Sequence, residues 1–445
     1  MKKISKKIDR LKKDKFWGVL LKNSFWAFAG DSVASIINLI ITIVLIRLIG
    51  TESFGILVLA QSYMNIMDVL INIQSWRSVI QYGKKALINN DINRFNSYVK
   101  LGCVMDVSTA IACCAIAILI VPILGNIFGW TSELIMCCKI LSITIISHFA
   151  GTPTAILRLL DKYKLVAVDK FLAAFFKIAS IIIVFLLFNK MDLIIAAWIF
   201  AISDFIGNII LVIFAGIVFN KKYSIIKMLK SRLHKDKKEF IRYTLWATVS
   251  EIVDIPVNHV DVFIVSLLGN TIVSVYKGFK QIVNILNKVT IPLQQSILPQ
   301  FSELSALGKK KRGFEVVIKI RNLILKVTIP IVIIVGITSP YWLDIIYGSA
   351  YKESWYILLL YMVVQTIALS YATIHPFFLS LGNTKKEALI VFIANLTYIL
   401  LAYVLVNLIG LIGMVIAFAV QVFIVVLWQY IDIEKVIKNE EIQRN

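Results

Sequence analysis

Two polar stripes stand out in an otherwise apolar sequence. Glu251, Asp254, Asn258 and Asp261 are spaced i, i+3, i+7 and i+10, and Lys277, Gln281, Asn284 and Lys288 are spaced i, i+4, i+7 and i+11, with Lys280 beside them. On a helix each set falls on one face. The carboxylates could take up H⁺ or Na⁺, and the ammonium groups and amides could hold phosphate oxygens and hydroxyls. At about 1.5 Å per residue from the turn at Gly269, Asp261 is expected level with Lys277, Asp254 with Asn284 and Glu251 with Lys288. A milder echo lies earlier. Asp31, Ser35, Asn38 and Thr42 share one helical face, and Gln61, Asn65, Asp68 and Asn72 share another that runs on to Ser75-Trp76-Arg77.

The elements that must carry these groups are membrane helices. Of 445 residues 59% are apolar and 16% charged, and mean hydropathy is +0.83. Apolar runs of about 20 residues, enough to cross ~30 Å of hydrocarbon, recur along the chain. Twelve spans are expected, at about 24–47, 54–82, 101–124, 134–157, 165–188, 191–218, 240–267, 272–304, 323–347, 355–380, 387–407 and 411–431. A charge at bilayer depth costs ~2.5–3.5 kcal/mol on insertion scales, so it normally faces protein or water.

Lys and Arg set the orientation. With the N-terminus inside, nearly all fall in inner segments, and only Arg47, Lys190 and Lys352 occupy outer turns. Both termini are therefore expected in the cytoplasm. Nine Lys or Arg crowd Lys221 to Arg242, between two sets of six spans. Trp26 and Trp246 open comparable hairpins around the turns at Gly50 and Gly269, and Pro153 and Pro376 sit at comparable places near the ends of the fourth and tenth spans. The expected fold is an all-α polytopic membrane protein of about twelve transmembrane helices, in two six-helix lobes related by a pseudo-twofold along the membrane normal. Its parts are a basic cytoplasmic segment 1–22, an N-lobe 23–218, a basic cytoplasmic linker 219–239, a C-lobe 240–431 and a cytoplasmic tail 432–445.

The net charge of +21 sits in inter-helix segments, which points to orientation and anionic lipid rather than nucleic acid. No phosphate-binding glycine loop, GxSxG or HExxH motif occurs, so an enzyme is not expected. Cys103, Cys113, Cys114, Cys137 and Cys138 lie within spans at spacings that fit no zinc motif, and small apolar packing accounts for them. No cofactor or metal is expected beyond H⁺ or Na⁺ as coupling ion.

Four stretches carry a resemblance. LIRLIGTESFGILVLAQS (residues 45–62), Asn72 to Tyr82, Leu298 to Leu307 and Ser339 to Tyr351 resemble, in order and spacing, the Wzx-type O-antigen and capsule flippases. These belong to the superfamily of multidrug and oligosaccharidyl-lipid exporters. The resemblance implies two lobes working by alternating access in the bacterial inner membrane. It implies a substrate, an oligosaccharide repeat unit on undecaprenyl pyrophosphate, moved to the periplasmic leaflet for O-antigen or capsule, with a polysaccharide polymerase and a chain-length regulator as partners besides membrane lipids. On that reading Arg77, Lys277, Lys280 and Lys288 attract the pyrophosphate. Asn284, Gln281, Asn38, Gln61 and Asn65 bond sugar hydroxyls, and Asp31, Glu251, Asp254 or Asp261 binds the coupling ion. The family's cavity is cationic, whereas here five acids, these four and Asp68, stand against the four bases.

Two other functions fit the same residues. One is an ion-coupled exporter of cationic drugs or metabolites with an acid-lined cavity, and the other a membrane scaffold for glycosyltransferases. The stripes can also serve as interhelical salt bridges that only hold the bundle together.

Overall fold

The computed structural model describes residues 15–73, 75–232, 237–253 and 255–444. Two compact units make up the chain, one of residues up to Ile41 with Tyr63–Ile252, the other of Thr42–Ser62 with Val253 onwards.

The first unit holds most of α1 (Lys15–Ile49), the end of α2 (Thr51–Ile71), α3 (Trp76–Ile88), α4 (Ile92–Phe128), α5 (Ser132–Ile143) and α6 (Gly151–Leu159). It continues with α7 (Tyr163–Phe188), α8 (Leu193–Tyr223), α9 (Ile225–Lys230) and α10 (Lys237–Ile252). Its helix ends follow local chemistry. Asp91 caps α4 through the Arg94 amide, Thr131 caps α5 through that of Leu134 and Asp192 caps α8 through that of Ile195. Gly129, at φ 63°, ends α4 in the left-handed conformation.

The second unit holds the α1–α2 turn, α11 (Asp261–Ser266), α12 (Asn270–Ala306), α13 (Lys310–Tyr347) and α14 (Ser349–Glu353). Then come α15 (Trp355–Ser370), α16 (Ile374–Ser380), α17 (Thr384–Ile409) and α18 (Leu411–Arg444). The fourth and tenth expected spans both break. A short 3-10 turn separates α5 from α6, and residues 371–373 separate α15 from α16. Pro153 and Pro376 are each the third residue of the helix after the break, where the missing N–H would have had no intrahelical partner.

Among the described residues, nine helices are long and apolar enough to cross a membrane, and the bent pair Ser132–Ser147 and Gly151–Leu159, kinked by 42°, makes a tenth. The other expected spans, 240–267 and 272–304, are helical, but their polar stripes dilute their apolarity. Large apolar side chains such as Leu186, Phe188, Ile337 and Leu408 are exposed, as on helices facing lipid. The chain is an all-α polytopic membrane protein.

The unit boundaries differ from the expected ones, 23–218 and 240–431. Residues 240–252 join the first unit because α10 buries Phe240 between Tyr82 and Tyr98, each ring centroid 5.6 Å away, and Thr244 meets the Ser78 hydroxyl at 2.6 Å. Burying such a ring contributes roughly 1.5–3 kcal/mol. Residues 42–62 join the second. There the Arg47 guanidinium donates to the carbonyls of Ile345 and Ile346. Gly55 lies flush against the Asn270 backbone, where a Cβ would stand 1.9 Å from the carbonyl oxygen, so glycine is required.

Candidate functional site

In the first unit the polar groups converge on the start of α3. Asp106, projecting from the middle of α4 and 1% exposed, accepts from the backbone N–H of Ser75 at 2.8 Å and of Thr152 at 2.6 Å. Those amides open α3 and α6, whose N-termini carry partial positive charge. One carboxylate thereby ties three helices together, and the Ser75 and Thr152 hydroxyls meet at 2.9 Å beside it. Directly after Ser75 come Trp76 and Arg77. The Arg77 and Arg158 guanidinium carbons lie 5.2 and 4.9 Å from the Trp76 ring, in cation–π range.

A cavity of about 480 Å³ opens here, lined by Asp68, Trp76, His148, Arg158, Asp169 and Lys170 among others. Most of its charges are matched within the unit. His148 Nδ1 is 3.1 Å from Asp68, and Asn72 donates to Asp68 at 2.9 Å. Lys170 donates to Asp31. Arg158 has no carboxylate partner among the described residues, and the buried Oδ1 of Asp169 has no hydrogen-bond donor. Deeper in the bundle Lys177 pairs with Asp204 at 2.7 Å. Arg77 pairs with Glu251 at 3.0 Å, both about one-third exposed.

The second unit has its own polar centre. Asp261 is fully buried and accepts from the Lys280 ammonium and, at 2.5 Å, from the Tyr276 hydroxyl. Lys280 also donates to the carbonyls of Val257, at 2.8 Å, and Asn258, at 3.3 Å. These carbonyls belong to a π turn, Pro256–Val260, that joins α10 to α11. Asn287 accepts from Gln365 at 2.6 Å and donates to Asn284 at 2.9 Å.

The candidate residues therefore divide. The acidic stripe does not act as one face. α10 ends at Ile252 in the first unit, and Asp261 follows the π turn Pro256–Val260 in the second. Glu251 meets Arg77 in the first unit, and Asp261 meets Lys280 in the second rather than Lys277. Lys277 is half-buried near that pair, and the Gln281 Oε1 is buried without a partner. Asn38 is exposed, and Asn38, Gln61 and Asn65 make no side-chain hydrogen bond among the described residues. Asp254 and the Lys288 side chain lie outside the described residues. The cavity's own bases, Arg158 and Lys170, read in the sequence as ordinary inner-segment charges; Asp106 and Asp169 had no acid or base three or four residues away to draw attention to them.

Helices in this order, with charged groups held among apolar spans, define a polytopic membrane protein with the fold of solved transporters. The chain superposes on an inward-facing MATE-family multidrug-resistance transporter of the MOP superfamily with a TM-score of 0.76, at 13% identity, over 94% of this chain and 98% of that one. A MOP-superfamily transporter from Pyrococcus furiosus matches with a TM-score of 0.66, at 14% identity, over 94% and 95%.

By its sequence the chain belongs to the polysaccharide biosynthesis protein family, whose model matches residues 20–305. It is 27% identical over 164 residues to the inner membrane protein YghQ of Escherichia coli (strain K12), a match spanning 37% of this chain and only 46% of that protein. It is 25% identical over 443 residues to a Shigella flexneri protein named "Putative O-antigen transporter", over 94% of this chain and 100% of that one.

Proposed function

We propose that the chain is a flippase that carries an oligosaccharide repeat unit on undecaprenyl pyrophosphate across the bacterial inner membrane by alternating access, with both termini in the cytoplasm. Family membership supports the polysaccharide setting. The observation that carries the choice over a cationic-drug exporter is electrostatic. Asp31, Asp68, Asp204, Glu251 and Asp261 each face a Lys, Arg or His of their own unit, whereas Arg158 faces the cavity without a carboxylate. Of the cavity's own acids Asp68 is matched by His148 and Asp169 is followed by Lys170, which leaves the Arg158 guanidinium for a pyrophosphate, which arginine grips through two parallel N–H donors. Lys170, poised between Asp31 and the cavity, adds a second positive group, and Thr154 and Asn208 offer hydrogen bonds to sugar hydroxyls. The isoprenoid tail stays in lipid. Substrate biases the inward–outward equilibrium only by its differential affinity for the two states.

The test uses cells lacking this chain, with the sugar pathway intact, complemented by the wild type or by Arg158→Gln. Accumulation of undecaprenyl-linked repeat units and loss of surface polymer are expected without the chain. Losing one charged hydrogen-bond pair, worth ~1.5–3 kcal/mol, should cut transport by R158Q roughly 10- to 100-fold. An unchanged lipid-linked pool with normal surface polymer in the deleted strain sinks the flippase and moves the case to the exporter.

Coupling is proposed to rest on H⁺ or Na⁺ at a carboxylate, with Asp31, Glu251 and Asp261 as the described candidates. The Arg77–Glu251 pair is open to solvent, so Glu251→Gln should cost no more than about 1 kcal/mol of stability. Its Tm should stay within a few degrees of wild type. Normal transport with unchanged ion dependence in E251Q removes Glu251 from the coupling site.

A further inference from the structure

A second cleft, of about 800 Å³, lies in the first unit where the C-terminal ends of α3, α6 and α8 meet the start of α4 and the short α9. Lys84, Lys221, Lys222 and Lys227 line it. All four are exposed, and none has an ion-pair partner among the described residues. The single acid in the lining, Asp161, is engaged by the Asn23 amide at 3.0 Å. Four ammonium groups against one carboxylate leave the cleft with a surplus of positive charge, which marks a place that gains by taking up an anion.

The cleft is built rather than frayed. Asn90, Asp161 and Ser224, which line it, have φ of 56°, 57° and 63°, a conformation that costs non-glycine residues and persists where the surroundings hold it. The Asn220 side chain accepts from the Ile225 amide at 3.0 Å and so opens α9. At the other end of α9 the Lys100 ammonium donates to the carbonyls of Leu229, at 2.7 Å, and Ser231, at 3.1 Å. Met228 anchors α9 in the core beside Phe95 and Phe219. The rim, by contrast, is apolar and open, with Ile88 69% and Ile92 40% exposed at the membrane-helix ends.

We propose that this cleft seats the phosphate headgroup of an anionic phospholipid, with its acyl chains along Ile88 and Ile92. A free phosphate would use the lysines but not the rim, and both features are satisfied together by a lipid whose headgroup lies level with the span ends. Basic residues near a surface attract anionic lipid at ~1 kcal/mol each, and enclosure in a preformed cleft makes the attraction local.

The experiment is native mass spectrometry of the detergent-purified full chain titrated with phosphatidylglycerol or phosphatidylcholine, with inorganic phosphate as competitor. Phosphatidylglycerol should be retained at least tenfold better than phosphatidylcholine. The K221Q/K222Q/K227Q variant should lose that preference by about tenfold or more. A control of equal charge loss in the second unit, K309Q/K310Q/R312Q, should keep it, as should wild type in excess phosphate. K84Q, a single change at an exposed site, provides an independent reading with a smaller loss in the same direction. Equal retention of the two lipids, an unaffected triple variant, or equal loss in the control overturns the proposal in favour of a diffuse basic surface. Displacement by inorganic phosphate overturns it in favour of a free-anion site.

Discussion

Replacing Asp106 with alanine is expected to cause the largest loss of folded protein of any single change in the first unit. The carboxylate is buried and satisfies the amides of Ser75 and Thr152, both themselves buried. Its removal leaves two backbone N–H groups without acceptors, at ~1–3 kcal/mol each, and withdraws negative charge from two helix N-termini. The sum, about 2–6 kcal/mol, is comparable to the whole stability of many domains. Asparagine should rescue little, because its single carbonyl oxygen can serve one amide while its NH₂ confronts the other. Fluorescence-detected size exclusion with a thermal ramp reads the effect directly. D106A with wild-type yield and Tm would show that the α3–α4–α6 junction does not depend on this side chain. Since Trp76, Arg77 and Arg158 are set by α3 and α6, any D106A or D106N protein that does fold should also transport poorly.

The second large effect is expected at Asp261 and Lys280. Removing one partner of a buried ion pair strands the other charge, at ~3–5 kcal/mol, so Lys280→Met alone should sharply reduce folded protein. The double variant D261N/K280M should recover most of the fold, because an asparagine oxygen still accepts from the Tyr276 hydroxyl and neither member of the pair leaves its partner's charge buried alone. If Lys280 braces the π turn, transport should return with the fold. Recovery of folding and Tm without transport would instead assign Lys280 to the substrate, as the basic-stripe reading of the sequence has it.

Much of this molecule could be read without coordinates. Long apolar runs and the one-sided distribution of Lys and Arg announce membrane helices, because hydrocarbon tolerates little else. The like placing of Pro153 and Pro376 was legible, but both were read as lying near the ends of unbroken spans, whereas each stands just after a break. The pairing of the stripes was not legible, because it assumed an unbroken helix through Val253. α10 ends at Ile252, and beyond the π turn Asp261 pairs with Lys280 instead of Lys277. The cavity was illegible for a different reason. Asp31 meets Lys170 and Trp76 meets Arg158 across 139 and 82 positions, and no periodicity within a helix encodes such a meeting. Asp106 left one trace only, an acid inside an expected span with no basic neighbour at helical spacing.

The assignment of residues 42–62 to the second unit has a consequence in time. Arg47 finds its carbonyl acceptors at Ile345 and Ile346, and Gly55 its close neighbour at Asn270. During synthesis this hairpin emerges about 190 residues before the rest of its unit begins at Val253. At about 5–20 residues per second the delay is roughly 10–40 s. For that interval a nascent chain already in the membrane carries a hairpin whose partners do not yet exist, and the whole first unit, α10 included, is made before it is claimed. Anything that stalls elongation between Ser62 and Asn270 prolongs that exposure, so the hairpin is where membrane chaperones and quality-control proteases would meet the unfinished chain.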